Sequence, residues 1–241
     1  MAAGQGKRMK NPEMAKVMHL LAGTPLIEHV VRLAQRAGAS PIIAVVGHQR
    51  ESVIAHLAAF DRSVRIAVQA EQLGTAHAVL QAEAPLRDFE GDVVILSGDA
   101  PLTRTETLAR MLATHRDTGA AVTVLTAILP DPTGYGRVLR DDEGRIVRIV
   151  EHKDARDAER EVREINSGIY AFNKKLLFEA LHAVGNDNAQ GEYYLPDVFG
   201  IFAARGLRME PCIVESFDEI RGVNTIEQLQ DMERMYAGMA Q

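Results

Sequence analysis

Ile42-Ile43-Ala44-Val45-Val46 is the longest purely apolar run in the chain, and the fold is read outward from it. It is far too short to cross a membrane. Apolar at every position, it reads as a strand buried on both faces. Upstream, Leu26, Ile27, Val30, Val31, Leu33 and Ala34 form a helical stripe over residues 25–37, with Thr24 as N-cap, Pro25 at the first helical position and Gly38 as the stop. Downstream, residues 50–59 read as helix, 64–68 as strand, 74–84 as helix and 93–96 as another apolar strand. Thr103-x-x-Glu106 reads as a capping box ahead of a helix whose core face is Leu108, Met111 and Leu112, and residues 121–128 read as strand. Strands alternating with helices imply an α/β protein with a doubly wound, mostly parallel sheet. In such sheets ligands bind beyond the carboxyl ends of strands, here the loops at residues 2–9, 69–75 and 97–102.

After Pro130 the pattern changes. Residues 136–139 and 146–150 flank the polar turn Asp141-Asp142-Glu143-Gly144, a hairpin signature. Strands are expected at 165–172 and 208–214, and helices at 173–183, 196–204 and 225–236. With no linker in view, residues 1–241 read as a single domain, with 130–241 completing the sheet and adding a β-rich, ligand-covering layer to 1–129.

Composition bounds the function. The chain has 241 residues, 46% hydrophobic and 25% charged, with a net charge of -6. The negative balance argues against a nucleic-acid-binding surface. No apolar signal core opens the chain. The single Cys212 leaves no internal disulfide and no cysteine cluster for zinc, which points to a reduced, cytoplasmic protein. The eight histidines show no metal-ligand spacing; His19, His29 and His77 read as partnerless, and residues 154–164 as a solvated charge run.

Ala2-Ala3-Gly4-Gln5-Gly6-Lys7-Arg8-Met9 carries the first chemical signal. Two glycines let the backbone turn tightly and bring N–H groups to a ligand. Lys7, Arg8 and, a few residues on, Lys16 supply positive charge, a combination suited to a polyphosphate. The same stretch also suits a basic surface turn. It has neither the third glycine of a dinucleotide fingerprint nor the Gly-Lys-Ser/Thr of a P-loop.

Together with this stretch, Gln69-Ala70-Glu71-Gln72-Leu73-Gly74-Thr75, Asp131-Pro132-Thr133-Gly134-Tyr135-Gly136-Arg137, Val150-Glu151-His152-Lys153-Asp154, Asn188-Ala189-Gln190-Gly191-Glu192-Tyr193-Tyr194 and Gly222-Val223-Asn224 resemble the bacterial N-acetylglucosamine-1-phosphate uridylyltransferases, in their N-terminal pyrophosphorylase domain. The resemblance runs almost end to end. It implies a Rossmann-like fold with a nucleotide-binding half (1–129) and a sugar-binding half (130–241), and transfer of a uridylyl group from UTP to N-acetylglucosamine 1-phosphate. It implies that Ala2, Ala3, Gly4 and Gly6 cradle the UTP phosphates, and that Arg8 and Lys16 are catalytic, stabilising charge on the reacting and departing phosphates. Gln69 would read uracil, with Gly74 and Thr75 meeting the nucleotide at a helix start. Gly136, Glu151, Asn166 and Tyr194 would line the sugar side, although Tyr194 also suits a core aromatic. Asp99 and Asn224 would hold Mg2+. By spacing alone Asp99 also suits a turn before Pro101, and Asn224 a helix N-cap ahead of Glu227.

Three departures from the family pattern carry expectations of their own. The apolar strand that leads into the glycine loop is missing ahead of Ala2, which should expose the edges of two neighbouring strands and uncover apolar helix faces. Met14-Ala15-Lys16 stands for the usual Leu-Pro-Lys, and Ser97 for an aromatic residue. No hexapeptide repeat is present, so neither acetyl transfer nor the trimer built on that domain is expected. Two rival readings stand beside this one: a non-catalytic nucleotide-sugar-binding protein, and a transferase for another sugar 1-phosphate with dTTP or CTP.

Overall fold

The computed structural model describes residues 1–4, 6, 9 and 14–239. In chain order the elements are β1 (Leu20–Leu21), β2 (Thr24–Pro25), α1 (Leu26–Arg36), β3 (Ile43–Val46), α2 (Arg50–Phe60), β4 (Arg65–Val68), α3 (Thr75–Leu80), β5 (Asp92–Ile95), α4 (Thr105–Thr118), β6 (Val122–Ile128), β7 (Arg137–Arg140), β8 (Ile146–Val150), α5 (Asp157–Arg160), β9 (Glu164–Asn173), α6 (Lys174–Leu181), α7 (Asp197–Ala204), β10 (Met209–Ile213) and α8 (Ile226–Met239). No helix among the described residues is long and apolar enough to cross a membrane.

The α/β reading holds, with a mixed sheet. β3 pairs β4 in parallel, and β10 pairs β6 in parallel. The long strand β9 runs antiparallel to β5, β6 and β7, and β7 closes a hairpin with β8. A period of two sorts the side chains of β6 onto two cores. Val122 and Val124 pack with Tyr170, Phe172, Phe199 and Phe202 beneath α6 and α7. Leu125 and Ala127 pack on the other face with Leu108 and Met111 of α4. The pairing of β6 with β9 shifts register between Val124 and Thr126, where residues 167–169 of β9, with Gly168 at φ +79°, stand opposite the single residue Leu125.

Residues 1–3 run between β3 and the end of β5. The Met1 ammonium donates to Leu96 O (2.6 Å), Gly98 N donates to Met1 O (2.8 Å), and Ala2 N donates to Val45 O (2.7 Å). Ala2 thus forms a parallel bridge with Val46. Behind Met1 lies a cavity of about 450 Å³ between β3 and β5, lined by residues 42–45 and 93–96 and floored by Val30, Val31 and Ala34 of α1. Burial lowers the Met1 amine to about 6, against the opposing pull of Asp99.

Several local expectations are corrected. Thr24 and Pro25 belong to a two-residue strand, and α1 begins only at Leu26. Thr103 does not cap α4, because its hydroxyl donates to Glu219 O (2.8 Å) and ties α4 to the 217–220 turn. Helix 74–84 ends at Leu80, with a short 3-10 turn at Ala84–Leu86.

Candidate active site

The N-terminal segment and the loops at the carboxyl ends of β4 and β5 meet over a pocket of about 500 Å³. It is lined by Ala2, Ala3, Gly4, Gly6, Lys16, Gln69, Gly74, Thr75, Asp99 and Asn224, the whole described part of the expected nucleotide and metal set. Arg8 lies outside the described residues. Lys16 Nζ forms a short ion pair with Asp99 Oδ2 and donates to Asn224 Oδ1 at 3.2 Å, so two side-chain oxygens from distant segments converge on one ammonium. Asn224 is not the cap of α8: Gln228 N is bonded by the Thr225 hydroxyl, while Gln228 Oε1 accepts from Asn224 N (2.8 Å). The Asn224 segment is tied down by Val223 N, which donates to Asp99 O (2.9 Å). Gly6 sits at φ +60°, and a Cβ there would lie 2.9 Å from Lys16 Cβ, so this glycine lets the loop close over the lysine stem.

Gly74 (φ +115°) is still more constrained: a Cβ would fall 2.4 Å from Tyr193 O. The close approach lets Tyr193 N donate to Leu73 O and Ala76 N donate to Tyr193 O (both 2.8 Å). The Thr75 hydroxyl accepts from Leu195 N (2.8 Å). Thr75 therefore clamps the 69–75 loop to the 193–195 segment with its side chain, and the Ala76 N–H at the start of α3 is already used. Gln69 is 3% exposed, and its Nε2 donates to Gly74 O (3.0 Å) and to His77 Nδ1 (3.1 Å). His77 is thus not partnerless.

The second expected group also assembles. Asn166 N donates to Gly136 O (2.9 Å), and a Cβ on Gly136 would sit 3.5 Å from both Asn166 Cβ and Glu151 Oε1. Buried Arg137 anchors the preceding loop, donating to Tyr135 O and approaching His152 Nδ1 at 3.3 Å. Tyr194 is buried, and its hydroxyl accepts from Gln190 Nε2 (2.7 Å). Burial pushes the Tyr194 hydroxyl up to about 12, with Asp154, Glu151 and Glu192 adding to the rise. It is both a core aromatic and a polar tip turned toward the acidic group.

Sequence reasoning missed the residues around this group. Glu151 is raised above the ordinary carboxylate value by burial and then by the charges of Asp154, Asp197 and Glu192. Asp197 is raised by burial and by Asp154. Asp154, expected in a solvated charge run, accepts from Ala189 N (2.7 Å) through Oδ1 and leaves Oδ2 buried without a partner. Tyr170 lies beneath, hydrogen-bonded to Asn166, with its hydroxyl held un-ionised by burial. These carboxylates come from two stretches, 151–154 and 192–197, and no spacing joins one stretch to the other. Glu192 lines the first pocket too, and links the two groups.

A loop-built pocket at the carboxyl ends of strands, with a lysine, a carboxylate and an amide at one point, suits phosphoryl or nucleotidyl chemistry. The family model described as nucleotidyl transferase matches residues 1–216, and the chain belongs to that family. Among curated relatives, it is 49% identical over 234 residues to "Bifunctional protein GlmU" of Geobacter sulfurreducens, covering 97% of this chain and 49% of that protein. It is 47% identical over 235 residues to "Bifunctional protein GlmU" of Geobacillus thermodenitrificans, covering 98% of this chain and 50% of that protein. The chain spans about half the length of the curated relatives it matches. Among solved structures, UDP-glucose pyrophosphorylase complexed with UDP-glucose superposes with a TM-score of 0.77 at 18% identity, covering 99% of this chain and 97% of that one. At that identity the likeness speaks for the fold alone.

Proposed function

We propose that this chain transfers a uridylyl group from UTP to N-acetylglucosamine 1-phosphate, giving UDP-N-acetylglucosamine and pyrophosphate. The observation that carries the reading is the meeting of Lys16, Asp99 and Asn224 beside the 1–6 loop. Residues 1–129 act as the nucleotide-binding half and 130–241 as the sugar-binding half of one nucleotidyltransferase domain. A phosphate oxygen of the sugar phosphate attacks the α-phosphorus of UTP. One O–P bond forms, the bond from the α-phosphorus to the bridging oxygen breaks, and its electron pair leaves with pyrophosphate. Both reactants are anionic, so the chain's task is to bring like charges together and neutralise them. The backbone of Ala2, Ala3, Gly4 and Gly6 orients the phosphates. Arg8 and Lys16 stabilise charge on the reacting and departing groups.

Mg2+ suits Asp99 and Asn224 because their oxygens already converge on a cation, the Lys16 ammonium. Two protein oxygens, with phosphate and water completing the shell, make an ordinary magnesium set. When bound, the ion supplies charge neutralisation at the phosphates. Lys16 then leaves Asp99 and carries its own charge to the substrate. On the sugar side Glu151 accepts from hydroxyl groups, and Asn166 offers both a donor and an acceptor. A buried free Cys212 fits the reduced interior of a cytoplasmic protein.

The test is pyrophosphate release by this chain with UTP, N-acetylglucosamine 1-phosphate and Mg2+. Release that requires all three supports the reading. UTP binding without release favours a non-catalytic nucleotide-sugar binder, and release with another sugar phosphate or with CTP or dTTP in place of UTP redirects the substrate.

A further inference from the structure

His77 is bound into the pocket wall without lining it. It sits on α3, half-buried, one turn beyond the loop that carries Gln69. The Gln69 amide has two faces, and its surroundings decide which one meets a ligand. Gly74 O can only accept, so the atom facing it at 3.0 Å must be Nε2. The second Nε2 hydrogen points to His77 Nδ1 at 3.1 Å, which must then offer a lone pair. His77 is thereby assigned as the neutral tautomer with its proton on Nε2. Gln81 Nε2 lies 3.3 Å from that ring nitrogen and donates to His77 O at 2.9 Å. Each amide also faces a carbonyl, so neither is simply reversed; buried Gln69 holds the shorter contact to the ring, whereas half-exposed Gln81 keeps its bond to His77 O and has room to turn its second hydrogen away from the ring N–H.

Both hydrogens of Gln69 are then committed to protein. Among the described residues nothing donates to Oε1, and Gln69 lines the pocket. The side chain therefore presents an acceptor and no donor. Uracil and thymine carry a ring N–H between two carbonyl oxygens, which such an acceptor suits. Cytosine carries a lone pair at the same ring position, which it repels.

We propose that His77 is a positioning residue for base choice: its Nδ1 lone pair, together with the Gly74 carbonyl, locks the Gln69 amide with Oε1 toward the pocket, so that the site selects nucleotides with a ring N–H donor. This rests on the reading of Gln69 as the base-contacting residue. A protein that used Gln69 only to brace the loop would place no demand on the ring tautomer beyond packing.

The experiment compares UTP with CTP, by calorimetric binding and by kcat/KM, in the full chain and in His77→Leu, His77→Asn and Gln69→Leu. Removing the acceptor in His77→Leu should cut the UTP-over-CTP preference by about tenfold, the factor of one ordinary hydrogen bond. The change should fall on KM for UTP, with kcat and KM for the sugar phosphate little altered. Asn at position 77 can offer its side-chain oxygen to Gln69 and should restore most of the preference. A preference that collapses in Gln69→Leu but stays intact in His77→Leu overturns the proposal. A preference unchanged in Gln69→Leu overturns instead the reading on which it rests. Ring 15N NMR of His77 under mildly alkaline conditions gives a readout independent of nucleotide. An Nε2–H tautomer is expected, and an Nδ1–H tautomer overturns the proposal even if a variant fails to fold.

Discussion

Around Lys16 unlike charges are paired, whereas around Glu151 like charges are crowded. On the 1–129 side, the lysine ammonium holds Asp99 and Asn224 together, and backbone from loops after parallel strands supplies much of the remaining surface. On the 130–241 side, Glu151, Asp154 and Glu192 in loops and Asp197 at the start of α7 stand near one another, with no cation among the causes that shift Glu151. The first arrangement is at rest without ligand and must be opened by one. The second is under electrostatic load without ligand and is relieved by hydroxyl donors. On the proposed reading, the paired side would meet the nucleotide phosphates and the crowded side the sugar hydroxyls, with the phosphate of the sugar kept away from the carboxylates.

The strongest way to break the comparison is Asp99→Ala. Turnover should fall about 100- to 1,000-fold, the usual cost of one electrostatic group in a transition-state site. Circular dichroism should show the fold intact; near-normal pyrophosphate release would dissolve the paired side as the reacting centre. Gly74→Ala attacks the joint between the sides. Positive φ and the clash with Tyr193 O together should cost about 3 kcal/mol in denaturant unfolding, and a wild-type midpoint would mean that the 193–195 segment yields easily.

Glu151→Gln sharpens the crowded side. KM for the sugar phosphate should rise about tenfold, the cost of one ordinary hydrogen bond. The folded protein should at the same time become more stable, with Tm rising by roughly 2–4 °C per kcal/mol relieved. Since the folded value is raised, the penalty is absent below the ordinary 4.5 and grows as pH rises through it, so the gain should vanish in acid. A variant that loses stability at neutral pH would show that the carboxylates are not in conflict.

Glu219→Gln makes the opposite test on a paired carboxylate. Burial alone would raise Glu219, yet hydrogen bonds from Arg104 (2.5 Å) and Thr107 outweigh it and hold it below 4.5. Its stabilisation is present above that value and is lost as pH falls through the lowered one. The variant should lose about 1–2 kcal/mol at neutral pH and show a flatter acid-side decline. Equal acid sensitivity in both proteins would remove Glu219 from the account.

Much of the paired side was legible because its residues sit in short contiguous motifs at strand ends. The strands read at 64–68 and 93–96 place the 69–75 loop and Asp99 by chain geometry alone. The crowded side was legible only in part. Glu151, Gly136 and Asn166 could be named, but Asp154, three residues from Glu151, has the local look of a solvated charge run, and Asp197 joins them only through the fold. The mixed sheet was hidden for a related reason: residues 164–173 look like one more strand, and nothing local states that β9 runs antiparallel to three others. Thr103 and Asn224 misled as helix caps because a hydroxyl or amide before a helix has the same local signature whether or not it turns away to a distant partner. His77 was missed because its partner lies eight residues away across a turn.

The close approach at Gly74 has a consequence on the timescale of amide exchange. Tyr193 N donates to Leu73 O, Ala76 N to Tyr193 O and Leu195 N to the Thr75 hydroxyl, so three amides on two distant loops are closed by one another's partners. None of them can open without parting the 69–75 loop from the 193–195 segment. In deuterated solvent these three protons should be lost together, at one rate, as a single cooperative unit that joins the two sides of the site.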